Sequence, residues 1–137
     1  MAHVILTVRD FANARAFYGA LLPYLGMKPV VDSPEYFYCV GGRTALGLRP
    51  AAPELASDSF SQGRSGLHHL CFRARAREDV DELHRFLVTQ GAKIVHPPQE
   101  EPWAPGYYSV LFEDPDGIRL EVNHVPGKGL LGDAPKA

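Results

Sequence analysis

The sequence predicts an α+β fold built from two βαβββ modules. Three observations carry that expectation. Strand-like and helix-like patterns run strand, helix, strand, strand, strand, and then repeat in the same order. A stretch of Ala, Pro and Ser, "PAAPELASDSFSQGRS" at residues 50–65, separates the two runs. Laying His3 on His69 sets "HVILTVRDFANARAFYGALL" over "HLCFRARAREDVDELHRFLV", with Phe17 on Leu83 and Leu21 on Leu87. At the far end "RTALGLRP" lies over "GIRLEVNH", placing Leu46 on Leu120 and Gly47 on Glu121, and the longer loop at 97–106 absorbs the drift. The expected organisation is a first module at 1–50, a linker at 51–65, a second module at 66–125 and a tail at 126–137, together one structural domain.

Each element follows from its residues. "HVILTVR" is β-branched and apolar, hence a strand. In "DFANARAFYGALLPYLG" the residues Phe11, Ala14, Phe17, Tyr18, Leu21 and Leu22 recur at helical spacing. Asp10 is the expected N-cap, and Pro23 with Gly26 marks the end. "KPVVD", "YFYCV" and "TALGLRP" read as strands, punctuated by Ser33-Pro34 and Gly41-Gly42 turns. In the second half "LHHLCFRA" is expected as a strand. "REDVDELHRFLVTQG" is expected as a helix with Val80, Leu83, Phe86 and Leu87 on one face. "AKIVH" is read as a strand, "PPQEEPWAPG" as a loop, and "YYSVLFED" and "IRLEVNHV" as strands about a PDG turn. The tail "PGKGLLGDAPKA" has no periodicity.

Composition narrows the function classes. Fourteen Lys and Arg stand against sixteen Asp and Glu, with no basic block, so nucleic acid is a poor partner for this chain. There is no signal-like start and no apolar run near the length of a membrane span, so a cytoplasmic protein with no membrane partner is expected. Cys39 and Cys71 lie in apolar strand-like runs without CxxC spacing and read as reduced core residues.

The module pair resembles the vicinal oxygen chelate superfamily, the glyoxalase, bleomycin resistance protein and extradiol dioxygenase family. The resemblance spans about residues 3–124. It is carried by "HVILTVRD" with "AFYGALLPYLGMK", by "GLHHLCFRA" and, most specifically, by "LFEDPDGIRLEV". It implies a curled, barrel-like mixed β-sheet with helices outside, a small-molecule substrate and a homodimer. It also implies a divalent metal ion (Mn, Zn, Ni, Co or Fe) held by residues of the first and last strands of both modules. Those positions are His3, His69, Gly47 and Glu121, and Gly47 has no side chain to offer.

Two imidazoles and one carboxylate can hold a divalent ion while leaving positions open for water or substrate. Such an ion polarises a bound oxygen and acidifies nearby protons. Strand alternation predicts that Arg119 and Asn123 share the face of Glu121. It also predicts that only one of His68 and His69 faces inward. The internal repeat selects His69, leaving His68 structural or turned to solvent. Tyr108, Arg49 and Arg119 are the candidates for orienting substrate or stabilising negative charge, and Trp103 with Tyr107 or Tyr108 is a candidate pocket wall. The blank at Gly47 separates the chain from the four-ligand lactoylglutathione lyases. The expected function is a glyoxalase-like metalloenzyme of lyase, isomerase or transferase type. The alternatives are a ferrous extradiol-type dioxygenase and a metal-free, bleomycin-resistance-like binding protein.

Overall fold

The computed structural model describes residues 1–129, so 130–137 of the expected tail lie outside the described residues. The described chain divides into two compact units, residues 1–60 with 115–117, and residues 61–114 with 118–129. The first holds β1 (His3–Val8), α1 (Phe11–Tyr24), β2 (Lys28–Ser33), β3 (Tyr36–Gly41) and β4 (Thr44–Pro50), and a short 3-10 turn at Pro53–Leu55 follows them. The second holds β5 (Leu70–Arg73), α2 (Arg77–Thr89), β6 (Lys93–Glu100), β7 (Tyr108–Glu113) and β8 (Arg119–His124).

The two sheets share one topology. The first runs β1-β4-β3-β2 and the second β5-β8-β7-β6. In each, the outer pair β1/β4 or β5/β8 is parallel, as a helical crossover requires, and the remaining pairs are antiparallel. The register supports the internal alignment residue by residue. Val4 faces Leu46 and Ile5 faces Gly47 in the first sheet, while Leu70 faces Leu120 and Cys71 faces Glu121 in the second.

The helices stop in the same way. At the end of α1, Gly26 takes φ +87°, its N–H reaches Pro23 O at 2.9 Å and Met27 N–H reaches Leu22 O at 2.9 Å. At the end of α2, Gly91 takes φ +71°, with Gly91 N–H to Val88 O at 3.1 Å and Ala92 N–H to Leu87 O at 3.0 Å. Both are the paired closure that a left-handed glycine permits, and it satisfies carbonyls left open at a helix end. Asp10 caps α1 by accepting from Asn13 N–H at 3.0 Å. Ala14, Tyr18, Leu21 and Leu22 of α1 and Val80, Leu83 and Leu87 of α2 are buried. Each large apolar side chain removed from water in this way contributes about 1.5–3 kcal/mol.

The DPDG turn is explained atom by atom. Asp114 Oδ1 accepts from Ile118 N–H at 2.8 Å, and Gly117 takes φ +82°. Asp116 accepts from Arg9 N–H at 2.8 Å and from Arg9 Nε at 2.9 Å.

Three local expectations change. The strand read over residues 67–74 spans only Leu70–Arg73, so His68 and His69 lie in irregular backbone before it. The strand read at 92–96 instead runs Lys93–Glu100 through Pro97 and Pro98. Being at the sheet edge, β6 tolerates residues without an N–H, and its pairing shifts between Ile94 and His96 and again between His96 and Gln99. Cys39 is buried and free as expected, whereas Cys71 is free but exposed.

Candidate functional site

The second unit contains a cavity of about 430 Å³. Its polar lining includes His68, His69, His96, Glu101 and Glu121, and Trp103, Tyr107 and Leu111 form apolar wall. Glu121 comes from the middle of β8, whose neighbours Leu120 and Val122 are buried in the core. Period-two alternation therefore turns Glu121 to the other face of the sheet, towards the cavity.

His69 and Glu121 meet there. His69 Nε2 stands 3.3 Å from Glu121 Oε2. The other carboxylate oxygen accepts from the Tyr107 hydroxyl at 2.5 Å. Burial and then the bond to Glu121 push the Tyr107 phenol well above its ordinary value, although Asn123 also bonds its oxygen. Tyr107 is thus a protonated donor that fixes the carboxylate, not a base. The Cys71 residue has solvent access, but local desolvation and then the Glu121 charge push its thiol up to about 12. It is a poor nucleophile near neutral pH.

A chain of contacts continues from His69. Its Nδ1 lies 2.8 Å from His68 Nδ1, with the two rings inclined at 75°. Gln62 Nε2 donates to the His68 carbonyl at 3.0 Å. The expectation that only one of the two histidines faces the pocket is therefore corrected, although His68 is exposed, as a solvent-facing residue would be. Alternation governs a strand, both histidines precede β5, and both rings line the same cavity. A second imidazole and carboxylate, His96 and Glu101, also line it, with Nε2 3.5 Å from Oε1. Gln99 Nε2 donates to the same Glu101 oxygen at 2.6 Å.

The remaining candidates have other partners. Tyr108 opens β7 on the helix-facing side, where its hydroxyl donates to Asp81 Oδ1 at 2.6 Å and the Arg77 guanidinium lies 3.7 Å from its ring centre. The adjacent Tyr107 reaches the cavity instead. Arg119 Nε pairs with Glu113 Oε1 at 2.8 Å rather than with Glu121. Arg49 belongs to the first unit, where its guanidinium stands 5.9 Å from the Tyr36 ring centre. His3 is exposed at the start of β1, its ring edge-on to Tyr38 at 6.3 Å. Among the described residues, no three His, Cys, Asp or Glu side chains gather around one ion-sized point.

Gly47 is more than a missing ligand. A Cβ there would stand 2.7 Å from Ile5 Cδ1, 2.8 Å from Tyr38 Cδ2 and 3.3 Å from the Phe37 carbonyl. The position that holds a carboxylate in the second unit is closed over in the first.

Residues missed in the sequence are Gln62, Glu101 and Ser109. Gln62 lies in the 50–65 stretch, which carried no signal of its own, whereas Glu101 and Ser109 lie within two residues of Trp103 and Tyr107 respectively.

The fold and this pocket define a class. Residues 1–122 match the Glyoxalase/Bleomycin resistance protein/Dioxygenase superfamily, and the chain belongs to that superfamily. It is 30% identical over 124 residues to the Bacillus subtilis (strain 168) protein YqjT, covering 89% of this chain and 96% of that one. A solved structure from Bacillus halodurans superposes with a TM-score of 0.82 at 30% identity, covering 91% of this chain and 95% of the other. A lactoylglutathione lyase from Agrobacterium tumefaciens superposes with a TM-score of 0.65 at 25% identity, covering 90% and 92%. Among the described residues, no helix is long and apolar enough to cross a membrane.

Proposed function

We propose that the chain is a small glyoxalase-like metalloenzyme of lyase, isomerase or transferase type. Its divalent ion is held by His69 and Glu121, and its substrate presents adjacent oxygens. One observation carries the reading: an imidazole nitrogen and a carboxylate oxygen 3.3 Å apart at a cavity wall. Two donors bound to one ion at about 2.1 Å each, at angles of about 90–109°, stand about 3.0–3.4 Å apart, so the pair fits a shared ion. His3 is kept as third ligand on the internal repeat alone, which makes it the equivalent of His69.

A divalent ion held there by His69 and Glu121 would supply Lewis acidity. The protein does the rest. Tyr107 holds one oxygen of Glu121 and leaves the other free to coordinate. Trp103 and Leu111 offer apolar wall to the body of a substrate, and Ser109 and the His96–Glu101 pair offer hydrogen-bonding groups in the same lining. A homodimer in the cytoplasm completes the reading.

Metal analysis of protein purified without chelator or a metal-affinity tag tests it. About one equivalent per chain is expected, lost in both His69→Ala and Glu121→Ala. Oxygen uptake by the ferrous form with catechol-like substrates would move the reading to the dioxygenase. A second reading, a metal-free binding protein, is favoured by the absence, among the described residues, of three ligating groups around one point and by the exposed indole of Trp103. No metal, even after reconstitution, would select it.

A further inference from the structure

We propose that the cavity is selective for a substrate whose apolar, ring-bearing body carries a protonated amine, with Glu101 as its counter-ion. This rests on the reading above of the cavity as the substrate site, and names a part of the substrate other than the oxygens offered to the ion. Glu101 and Glu121 both contribute carboxylates to the lining, and no Lys or Arg stands among the lining residues.

Glu113 shows how the same unit treats a carboxylate of similar burial. Its side chain is 11% exposed and takes Lys93 Nζ at 2.9 Å and Arg119 Nε at 2.8 Å. The Glu101 side chain is 19% exposed and meets neither Lys nor Arg. Its Oε1 accepts from the uncharged amide of Gln99 at 2.6 Å, and its Oε2 has no partner among the described residues. A carboxylate drawn this far out of water without a cation is costly, and a cationic ligand relieves the cost. Nor does the adjacent imidazole donate to it. His96 Nδ1 lies 2.9 Å from the Pro97 carbonyl, which only accepts, so that nitrogen carries a hydrogen. In the neutral ring Nε2 is then bare, and it stands 3.5 Å from Glu101 Oε1. Two acceptors lie side by side, and an ammonium group has N–H donors for both.

An independent observation also calls for a ligand. Ser109 is 1% exposed yet lines the cavity, and its hydroxyl has no partner among the described residues. Across β7 and β8 it faces Asn123, whose Oδ1 is itself buried without a partner, so the two do not satisfy each other. A buried hydroxyl left open at a cavity wall is a hydrogen bond awaiting its second half.

The loop bearing Glu101 and Trp103 is held in shape. Glu101 N–H donates to Tyr107 O at 3.0 Å, and Tyr107 N–H donates to Ala104 O at 3.1 Å. Gly106 takes φ +70°, and Pro126 packs so close that a Cβ there would stand 2.7 Å from its Cγ. Carboxylate and indole are therefore presented with little left to order on binding. The indole of Trp103 attracts a cation through its ring face and covers an apolar ring equally well.

Three probes of one shape test the charge: 2-phenylethylammonium, 2-phenylethanol and 3-phenylpropionate. Each is titrated against the full, metal-free chain by ligand-observed NMR at pH 8, where an ordinary imidazole is neutral. The ammonium is expected to bind about 10–100-fold more tightly than the alcohol, and the carboxylate most weakly of the three. Glu101→Gln keeps the side chain's size and should bring ammonium and alcohol within about twofold, leaving the alcohol's own affinity unchanged. The wild-type series needs no variant, so a misfolded Glu101→Gln leaves the inference open to refutation. Equal binding of ammonium and alcohol, a preference for the carboxylate, or no binding of any probe would overturn it. An ammonium preference that survives in Glu101→Gln would overturn the role of Glu101. Zinc content, measured separately on the same preparation, keeps the two readings apart. Zinc bound without a preference for the ammonium sinks this inference and leaves the metal site standing, and the converse leaves a binding pocket for organic cations.

Discussion

The two modules place different chemistry on one backbone plan. Ile5 faces Gly47 across β1 and β4, and Cys71 faces Glu121 across β5 and β8. Tyr38 faces Gly47 on the other side, where Leu111 faces Glu121. In the first module, Ile5 and Tyr38 fill the space in front of Gly47. In the second, the equivalent positions leave room for a carboxylate that reaches a histidine and a tyrosine. Duplication of a fold therefore does not duplicate its site. Backbone register is inherited as a whole, while the chemistry at one position depends on which side chains crowd it.

The largest expected effect lies in the second module. His69→Ala and Glu121→Ala should each abolish stoichiometric metal binding, read by elemental analysis after dialysis. Retention in either would erase the proposed contrast between the modules. The next effect tests closure of the first. Gly47→Ala should lower unfolding free energy by about 1–3 kcal/mol, because Ile5 and Tyr38 must move. Denaturant midpoints would show it, and Ile5→Ala in the same background should recover part of the loss. A neutral Gly47→Ala would mean that the first module is merely vacant.

Tyr107→Phe and Tyr108→Phe sharpen the comparison within one dipeptide. Loss of the Tyr107 hydroxyl should weaken zinc binding about tenfold, since the carboxylate loses its orienting donor. Tyr108→Phe should leave zinc affinity unchanged and cost about 1 kcal/mol of stability, its hydroxyl serving only Asp81. Equal effects on zinc would refute the assignment of the two rings to opposite faces.

The smallest effect concerns Glu113. Burial pushes its carboxyl up, but hydrogen bonds from Lys93 and Arg119 outweigh burial and hold it below its ordinary value of 4.5. A group depressed on folding stabilises fully above its unfolded value, and that contribution is lost as pH falls through the folded one. Thermal melts from neutral pH to below pH 4.5 should therefore show a steeper acid-side fall in the wild type than in Glu113→Gln.

Much of this architecture was legible in the residues. The repeat that sets His3 on His69 and Gly47 on Glu121 is a local pattern, but the interest of those four positions came from the family resemblance, with which alternation on β8 agrees. Other features depended on where a strand begins. Leu70 opens β5, so alternation could not decide between His68 and His69. Tyr108 opens β7, and the faces of Tyr107 and Tyr108 are set by that one-residue boundary. Pro97 and Pro98 read as a break because proline removes ladder donors, yet at a sheet edge those donors need no partner. The closure over Gly47 was invisible for another reason. Ile5 and Tyr38 come from different strands and meet Gly47 only once the register is set.

Trp103 gives the cavity an optical property. It is the only tryptophan in the chain, it is 67% exposed and it lines the pocket. Its emission therefore reports one location rather than an average over the molecule. A molecule settling against the indole changes its polarity and quenching, so occupancy can be followed by colour and lifetime without a label.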